Sequence, residues 1–449
     1  MFCPDNSDRT GVVGPNLSDR VSLLVLDGPG GPSPARWIPQ LGRRYDLHVV
    51  TDRPLAELAG MSPAQLGGVA QVYQVESRAA IGKAANAVGA GRTFGGVLTF
   101  SELAVEDAHR LANSWGLPAT APGSLAGLRS KLAQRRALAA AGVSVPAFTR
   151  VSNLAELRSG IARVGTPAVL KPEVGAGSMA TFAIRKGDDV AATWTAATRA
   201  IENDPRADPD VMFILESELI GSAWHEDERF GDYVSVESYI SGGVITHMGI
   251  SDKLPLSPPF RENGTLFPSV LPLDRQELLL DAAAEAIVAL GLNNTATHIE
   301  FKLTSNGPVV IEVNARVGGG VVEMVGLTTG LNLIMELAEI STGQHKLGAL
   351  PLPRGHAAYF CPQPPVWPCR VRRAPSTAAI LDIAGMVDVD VRYREGDVPD
   401  AGRGTASQLL GGYAMSERSD RLLEIFAELT SDRYFELEPI RLDSGGYCS

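Results

Sequence analysis

His298-Ile299-Glu300-Phe301-Lys302, then Val309-Val310-Ile311-Glu312-Val313-Asn314-Ala315-Arg316 and Gly318-Gly319-Gly320, make up the stretch from which the fold is read. Both segments alternate polar with apolar residues, as strands do, so Glu312 and Asn314 share one face. If the two strands pair, Glu300 stands beside Glu312, and three hard oxygen donors sit together in an otherwise apolar sheet. Buried carboxylates repel one another unless a cation joins them. Magnesium favours such oxygen ligands together with nucleotide phosphates, so the pattern reads as a metal-nucleotide site. The other reading, two glutamates on a solvated face, fits the apolar neighbours poorly. Arg316 follows Asn314 by two residues and should point the same way, toward phosphates or an acyl group, both of which suit its planar fork. The three glycines would offer unobstructed backbone amides to an anion, or serve as a flexible turn.

Upstream, Lys171-Pro172-Glu173-Val174-Gly175-Ala176-Gly177-Ser178-Met179-Ala180 puts a lysine at the end of an apolar strand, before a turn of small residues. Such a turn lets backbone amides approach phosphate oxygens. With the strand Thr181 to Ile184 beyond it, the segment reads as a hairpin flap over a nucleotide. It is no Walker A loop, because the lysine does not follow the second glycine. The runs 211–217, 234–240 and 244–250 read as strands of one large antiparallel sheet with the two opening segments. Helices are expected over 125–141 (ending at Gly142), 153–164, 275–290 and 331–339.

The first third alternates short apolar runs (21–27, 47–51, 97–100) with Ala- and Leu-rich stretches, which predicts an open parallel α/β domain. Its Gly28-Pro29-Gly30-Gly31 fits a plain turn better than a dinucleotide fingerprint. After Pro351 the prolines cluster, and short strands with a helix near 421–429 predict a small β-rich module. The expected domains are therefore 1–120, 121–345 (with a flap subdomain at about 145–222) and 346–449. The 449 residues carry a net charge of -11, which argues against coating a nucleic acid. Cys3, Cys361, Cys369 and Cys448 lack paired metal spacing and fit a reducing cytoplasm. Neither a signal peptide nor a membrane span is apparent in the sequence.

Taken together, Lys131, Lys171-Pro172 with its glycine flap, Ile214 to Leu219, Glu300 and Glu312-x-Asn314-x-Arg316 resemble the ATP-grasp superfamily, over roughly 121–338. The resemblance implies an ATP-grasp fold, of mixed α/β and α+β class. It assigns Lys131 and Lys171 to the ATP phosphates, with Gly175, Gly177 and Ser178 in the flap, and Glu216, Ser217, Glu218 and Leu219 to the adenine hinge. Glu300, Glu312 and Asn314 would bind Mg2+, with Mn2+ as an alternative. Within the superfamily, Glu312 to Gly319 is similar to the signature of L-amino-acid ligases and natural-product peptide ligases, including those of the pheganomycin type. Ser251-Asp252-Lys253 and Phe260-Arg261-Glu262-Asn263-Gly264 add to the likeness, with Glu262 at the position that recognises an amino substrate. The family commonly has a His where this chain has Thr265, which points to a different acceptor.

The implied reaction activates a carboxylate as an acyl phosphate and transfers the acyl group to an amine. Lys171, Arg316 and Gly319 are then its catalytic groups, while Glu262, Arg316, Gly319 and Gly320 bind substrate. Small molecules or peptides are the implied partners, with no nucleic acid and no membrane, and a homodimer is the assembly to test. The rival readings are a carboxylase acting through carboxyphosphate and a non-catalytic ATP-binding regulator; an NAD-dependent oxidoreductase ranks below both. Residues 222–232 look like an insertion, which composition reads as a solvated acidic loop with His225 at the surface.

Overall fold

The computed structural model describes residues 20–440 apart from 59, 61–62, 176, 205–209 and 211. Cys3, Cys448 and the N-terminal segment read for a signal peptide lie outside the described residues.

Four short strands, β1 (Ser22–Leu26), β2 (Asp46–Thr51), β3 (Gln71–Gln74) and β4 (Gly96–Leu98), form a parallel sheet in the order β3-β2-β1-β4. Leu23 to Leu26 are fully buried because helices cover both faces, as a parallel sheet requires. The third strand, Gln71–Gln74, escapes sequence reading because it is short and mostly polar. Helix Val105–Ser114 carries the buried His109, whose Nδ1 accepts the Thr120 N–H at 2.9 Å. Thr120 in turn donates its hydroxyl to the Asn293 carbonyl at 2.8 Å, clasping this domain to the centre of the molecule.

A second sheet, in the order β5-β8-β6-β7, contains β5 (Phe148–Val151), β6 (Ala168–Pro172), β7 (Phe182–Ile184) and β8 (Phe213–Ser217). The antiparallel β6–β7 pair is the expected hairpin. Strand β8 corrects the sequence reading: it lies between β5 and β6 in this flap subdomain instead of joining the large sheet. A short apolar run such as Phe213-Ile214-Leu215 is equally at home in either sheet, so its pattern alone does not choose.

The large sheet holds β9 (Tyr233–Ser241), β10 (Val244–Lys253), β11 (Gly264–Phe267), β12 (Thr295–Thr304), β13 (Gly307–Asn314), β14 (His356–Phe360), β16 (Met386–Val391) and β17 (Leu410–Ser416). Its order is β13-β12-β9-β10-β11-β14-β17-β16. In the C-terminal segment β14 pairs with β11 and extends the central sheet, while among the described residues β15 (Cys369–Arg373) and β18 (Glu436–Pro439) pair apart from it. One face of the centre packs Val234, Val236, Ile299, Phe301 and Leu303 against the 18-residue helix Leu273–Leu290. The opposite face is polar and carries the site.

Helix Val321–Thr329, directly after the glycines, is missing from the sequence reading, and only its successor Leu333–Ser341 was anticipated. It is apolar almost all round, so it lacks an amphipathic period. The two helices meet at 114° and pack into the core, and among the described residues no single helix is long and apolar enough to cross a membrane.

Burial holds His109 neutral, lowering its pKa from 6.5 to about 4. Between those values the unfolded chain binds the proton and the folded one does not. The stability is thus complete above 6.5 and declines as pH falls toward 4. By pH 5 the loss should be on the order of 2 kcal/mol, and urea unfolding of wild type and His109→Gln at pH 7.5 and 5 should show a steeper decline in wild type.

Candidate functional site

Alternation places Lys253 and Ser251 of β10, Ser235 and Glu237 of β9, His298 and Glu300 of β12, and Glu312 and Asn314 of β13 on the one polar face. Glu300 pairs directly with Glu312 across the strands, as the sequence predicts, and His298 with Asn314. Glu237 accepts from Ser235 Oγ at 2.7 Å and from Ser251 Oγ at 3.1 Å, and pairs with His298 Nδ1 at 2.9 Å. The other ring nitrogen of His298 meets Glu300 Oε1 at 3.3 Å. Burial works against every charge in this line, but mutual pairing wins. His298 stays protonated with a pKa raised by Glu237, while Glu237 and Glu300 are held below the ordinary carboxylate range by His298, with Lys253 adding to the effect.

Lys253, whose burial is outweighed by Glu262, Glu300 and Glu237, binds proton more tightly than usual and meets Glu262 at 2.9 Å. Glu262 thereby stands at the margin of the same face.

The predicted lysines converge here from two other elements. Ser130 caps helix Lys131–Ala140 by accepting the Ala133 N–H, which sets Lys131 at the helix start. Its Nζ lies 2.7 Å from Glu312 and donates to the Gly175 carbonyl at 2.8 Å, joining the metal-site strand to the flap. Lys171 pairs with Glu216 at 2.8 Å, and Glu216 also takes Arg135 Nε at 2.8 Å. Burial pushes the Lys171 pKa down in spite of Glu216. For Glu216 the balance is reversed: burial is overcome by Arg135 and Lys171, and the carboxyl is lowered to about 2.

Along the hinge run, the Glu216 backbone lies between β5 and β6 and its side chain turns toward Lys171. Ser217 N–H donates to the Ala147 carbonyl at 2.8 Å and Glu218 N–H to that of Pro167 at 3.0 Å, leaving Leu219 as the first residue beyond these contacts. Glu218 is further held by Arg185, with one contact at 3.0 Å.

Arg316 reaches Asn314 Oδ1 at 3.2 Å and the Val317 carbonyl at 2.9 Å. Its Nε lies 3.0 Å from Glu102 Oε2, a buried carboxylate from the N-terminal domain. That contact is close but poorly aligned, for neither atom gains a hydrogen bond from it. Burial raises the Glu102 pKa even against the pull of Arg316. Gly318 passes so near His298 that a Cβ there would stand 2.3 Å from the ring, whereas Gly319 is open and Gly320, at φ +76°, starts the following helix.

The insertion keeps Glu226 and Glu228 exposed, as a solvated acidic loop would, but does not leave His225 at the surface. The His225 side chain is buried, pairs with the fully buried Asp252 at 2.9 Å and stacks on Phe230 with ring centres 4.7 Å apart. Trp224 donates to the Thr304 carbonyl at 3.0 Å under the guanidinium of Arg275. Composition counts the acidic residues of 222–232 but not the three aromatic rings that anchor them.

Sequence reasoning assigned no role to Glu237, Arg135 or Glu102, and none to His298 beyond quoting it. The signal for Glu237 was present in Val234-Ser235-Val236-Glu237, a strand whose polar members alternate with fully apolar ones. Glu102 carried none, being joined to Arg316 only by the fold.

Two carboxylates and a carboxamide on one face suit a hard divalent cation, and the cations Lys131, Lys171 and Arg316 around them suit a polyphosphate. Among the described residues no three His, Cys, Asp or Glu side chains form a metal cluster, so the protein alone supplies an open, incomplete set. Magnesium of this kind is completed by water and phosphate oxygens.

Residues 164–324 match the model of the ATP-grasp domain. The chain is 31% identical over 229 residues to the alanine–anticapsin ligase of Bacillus subtilis, covering 50% of this chain and 48% of the ligase. It is 30% identical over 303 residues to the uncharacterized protein y4rH of Sinorhizobium fredii, covering 67% and 60% respectively. The chain thus spans about half to three-fifths of the length of these relatives. Its fold is similar to that of the L-amino acid ligase from Bacillus licheniformis, with a TM-score of 0.76 at 18% identity over 94% of this chain and all of the other. The ATP-grasp fold expected from the sequence is therefore the fold observed.

On the metal-nucleotide reading, replacing Glu312 by Gln should lower magnesium-dependent nucleotide turnover by about 10²-fold or more with only a modest loss of stability, because Lys131, which loses its ion pair, keeps the Gly175 carbonyl. Glu237→Ala should instead cost about 3 kcal/mol of stability, since it leaves His298 charged and buried. Paired denaturation and turnover measurements check both; equal stability losses would refute the division of roles.

Proposed function

We propose that this ATP-grasp chain is an ADP-forming ligase that joins a carboxylate to the amine of an amino acid or peptide. The observation that carries the reading is the meeting of Glu300, Glu312, Asn314 and Arg316 with Lys131 and Lys171 around one polar sheet face. The ligase names of relatives such as the alanine–anticapsin ligase support it.

In this reading Lys131 and Lys171 hold the ATP phosphates, and the flap at Gly175, Gly177 and Ser178 covers them. Glu218 and Leu219 border the adenine. Glu300, Glu312 and Asn314 hold Mg2+ (or Mn2+), which when bound neutralises phosphate charge. A substrate carboxylate oxygen attacks the terminal phosphorus of ATP, the bond to the bridging oxygen breaks, and ADP leaves with that electron pair. The amine nitrogen then attacks the carbonyl carbon of the acyl phosphate. Arg316 and the amides of Gly319 and Gly320 stabilise the oxyanion, phosphate departs, and the nitrogen gives up one proton. Glu262, oriented by Lys253, receives the cationic amino group of a substrate. A small-molecule or peptide substrate and a cytoplasmic setting belong to the same proposal.

Arg316→Lys keeps the charge and removes the fork. Amide formation should fall by about 10²-fold while the affinity for an ATP analogue changes little. Calorimetry and product analysis, using an acid and amine pair found by screening for substrate-dependent phosphate release, provide the test. An equal fall in both quantities would assign the arginine to ATP instead, and turnover that required bicarbonate would favour a carboxylase.

A further inference from the structure

The flap tip does not rest on the ATP-binding sheet alone. Between β16 and β17, residues Ala401–Ser407 form a short helical element broken at Gly404, whose φ of +66° and ψ of -145° lie outside helical space. That break turns the Thr405 N–H toward the flap, where it donates to the Gly177 carbonyl at 3.1 Å. The approach is so close that a Cβ on Gly404 would stand 2.4 Å from the same carbonyl oxygen. The side chain of Thr405 faces elsewhere: its Oγ1 accepts the Glu262 N–H at 3.2 Å. One residue thus touches the nucleotide flap through its backbone and the proposed amino-recognition loop through its hydroxyl.

Four further hydrogen bonds make this a built junction. Ser178 Oγ donates to the Phe260 carbonyl at 2.6 Å, so flap and loop also meet directly. Gln363 Nε2 donates to the Glu262 carbonyl at 2.7 Å and to that of Thr405 at 3.3 Å. Ser407 Oγ, which donates to the Gly404 carbonyl at 2.7 Å, holds the kink in place from within. All of this element lies outside the residues that match the ATP-grasp domain model.

We propose that Gly404 and Thr405 are positioning residues: Gly404 gives the flap its seat, and Thr405 ties the seated flap to the substrate loop at Glu262, so that sealing of the nucleotide site and ordering of the amine site are one event. The proposal rests on the ligase reading for the identity of the second substrate, but not for the seat itself. The physical basis is geometric. A left-handed glycine is required where the chain turns and where the neighbouring carbonyl leaves no room for a methyl group, and a lid closes fully only where its tip has partners.

The test uses the full-length protein with a non-hydrolysable ATP analogue and Mg2+, following hydrogen exchange over 173–180 and 257–263. In wild type the analogue should slow exchange in both segments. In Gly404→Ala the slowing over 173–180 should be lost and the KM for ATP raised by about 10-fold or more, as expected when a closing lid is misplaced. Thr405→Val keeps the N–H and the shape of the side chain, so flap protection should persist while protection at 257–263 falls and the KM for the amine rises with the KM for ATP unchanged. Thr405→Ser should restore the latter. A merely structural role would shift thermal stability and all parameters together, without this split. Equal slowing in wild type and Gly404→Ala, or no slowing in wild type, would overturn the seat. Should Gly404→Ala fail to fold, unchanged amine KM and unchanged protection at 257–263 in Thr405→Val would overturn the coupling. Because exchange is read with nucleotide alone, the seat stands or falls even if no amide product is found, whereas the ligase reading is judged by product.

Discussion

Charges withdrawn from water must find partners, and on the polar face of the large sheet they find them in a fixed sequence: Ser235 and Ser251 on Glu237, Glu237 on His298, His298 on Glu300. An isolated ion in such surroundings carries a penalty of several kcal/mol, so no member of the line is independent of the next. The imidazolium in the middle, bonded to Glu300, holds that carboxyl below its usual range against the effect of burial. It also explains the bare Gly318, because the loop leading to the glycines crosses directly over that ring. The geometry of the polar face around Glu300 therefore derives in part from Glu237 on β9, the third strand from the β13 edge of the sheet.

The same requirement acts at the junction of sheets. Lys171, Glu216 and Arg135 form one buried cluster, and Lys131 with Glu312 forms another. On the proposed function, a polyphosphate competes with Glu216 and Glu312 for the lysines, while a divalent cation competes with Lys131 for Glu312. Each arrival alone would strand a charge of its own sign, a carboxylate for the polyphosphate and Lys131 for the cation. Arriving together they compensate, which is a physical reason for such a site to take the metal and the nucleotide as one complex.

These features were legible in the sequence to very different degrees. The pairing of Glu300 with Glu312 follows from alternation over two adjacent strands, and the β6–β7 flap from a lysine strand, a small-residue turn and a second strand; both are local patterns and both are observed. The placement of Phe213–Ser217 between β5 and β6 is not local, and neither is the extension of the central sheet by β14, β17 and β16. Helix Val321–Thr329 was missed for the opposite reason: buried on all sides, it has no polar face to announce its period. At the site, residue types that recur at strand spacing were found, while Glu102 and Arg135, brought in from other elements, were not. The anchoring of the insertion is not legible because acidic composition describes what a loop exposes and says nothing of what Trp224, His225 and Phe230 pack against.

That insertion and the N-terminal domain both brace residues of the polar face, by different means. Asp252, fully buried, accepts from Ser269 Oγ at 2.6 Å and from the Val270 N–H at 2.7 Å while pairing with His225, so the insertion is fastened to the strand that carries Lys253. Gly231 N–H completes the attachment by donating to the Lys253 carbonyl at 2.7 Å. From the N-terminal domain Glu102 holds Arg316 by proximity without an aligned hydrogen bond. The contrast is physically meaningful. Fully satisfied polar contacts fix the side chains that orient Lys253 and Glu262, whereas the imperfect pair leaves the fork of Arg316 with donors to give. On the proposed function, in which Arg316 meets charge only as it develops, a loose partner suits it better than a saturated one, since little has to be broken when that charge appears.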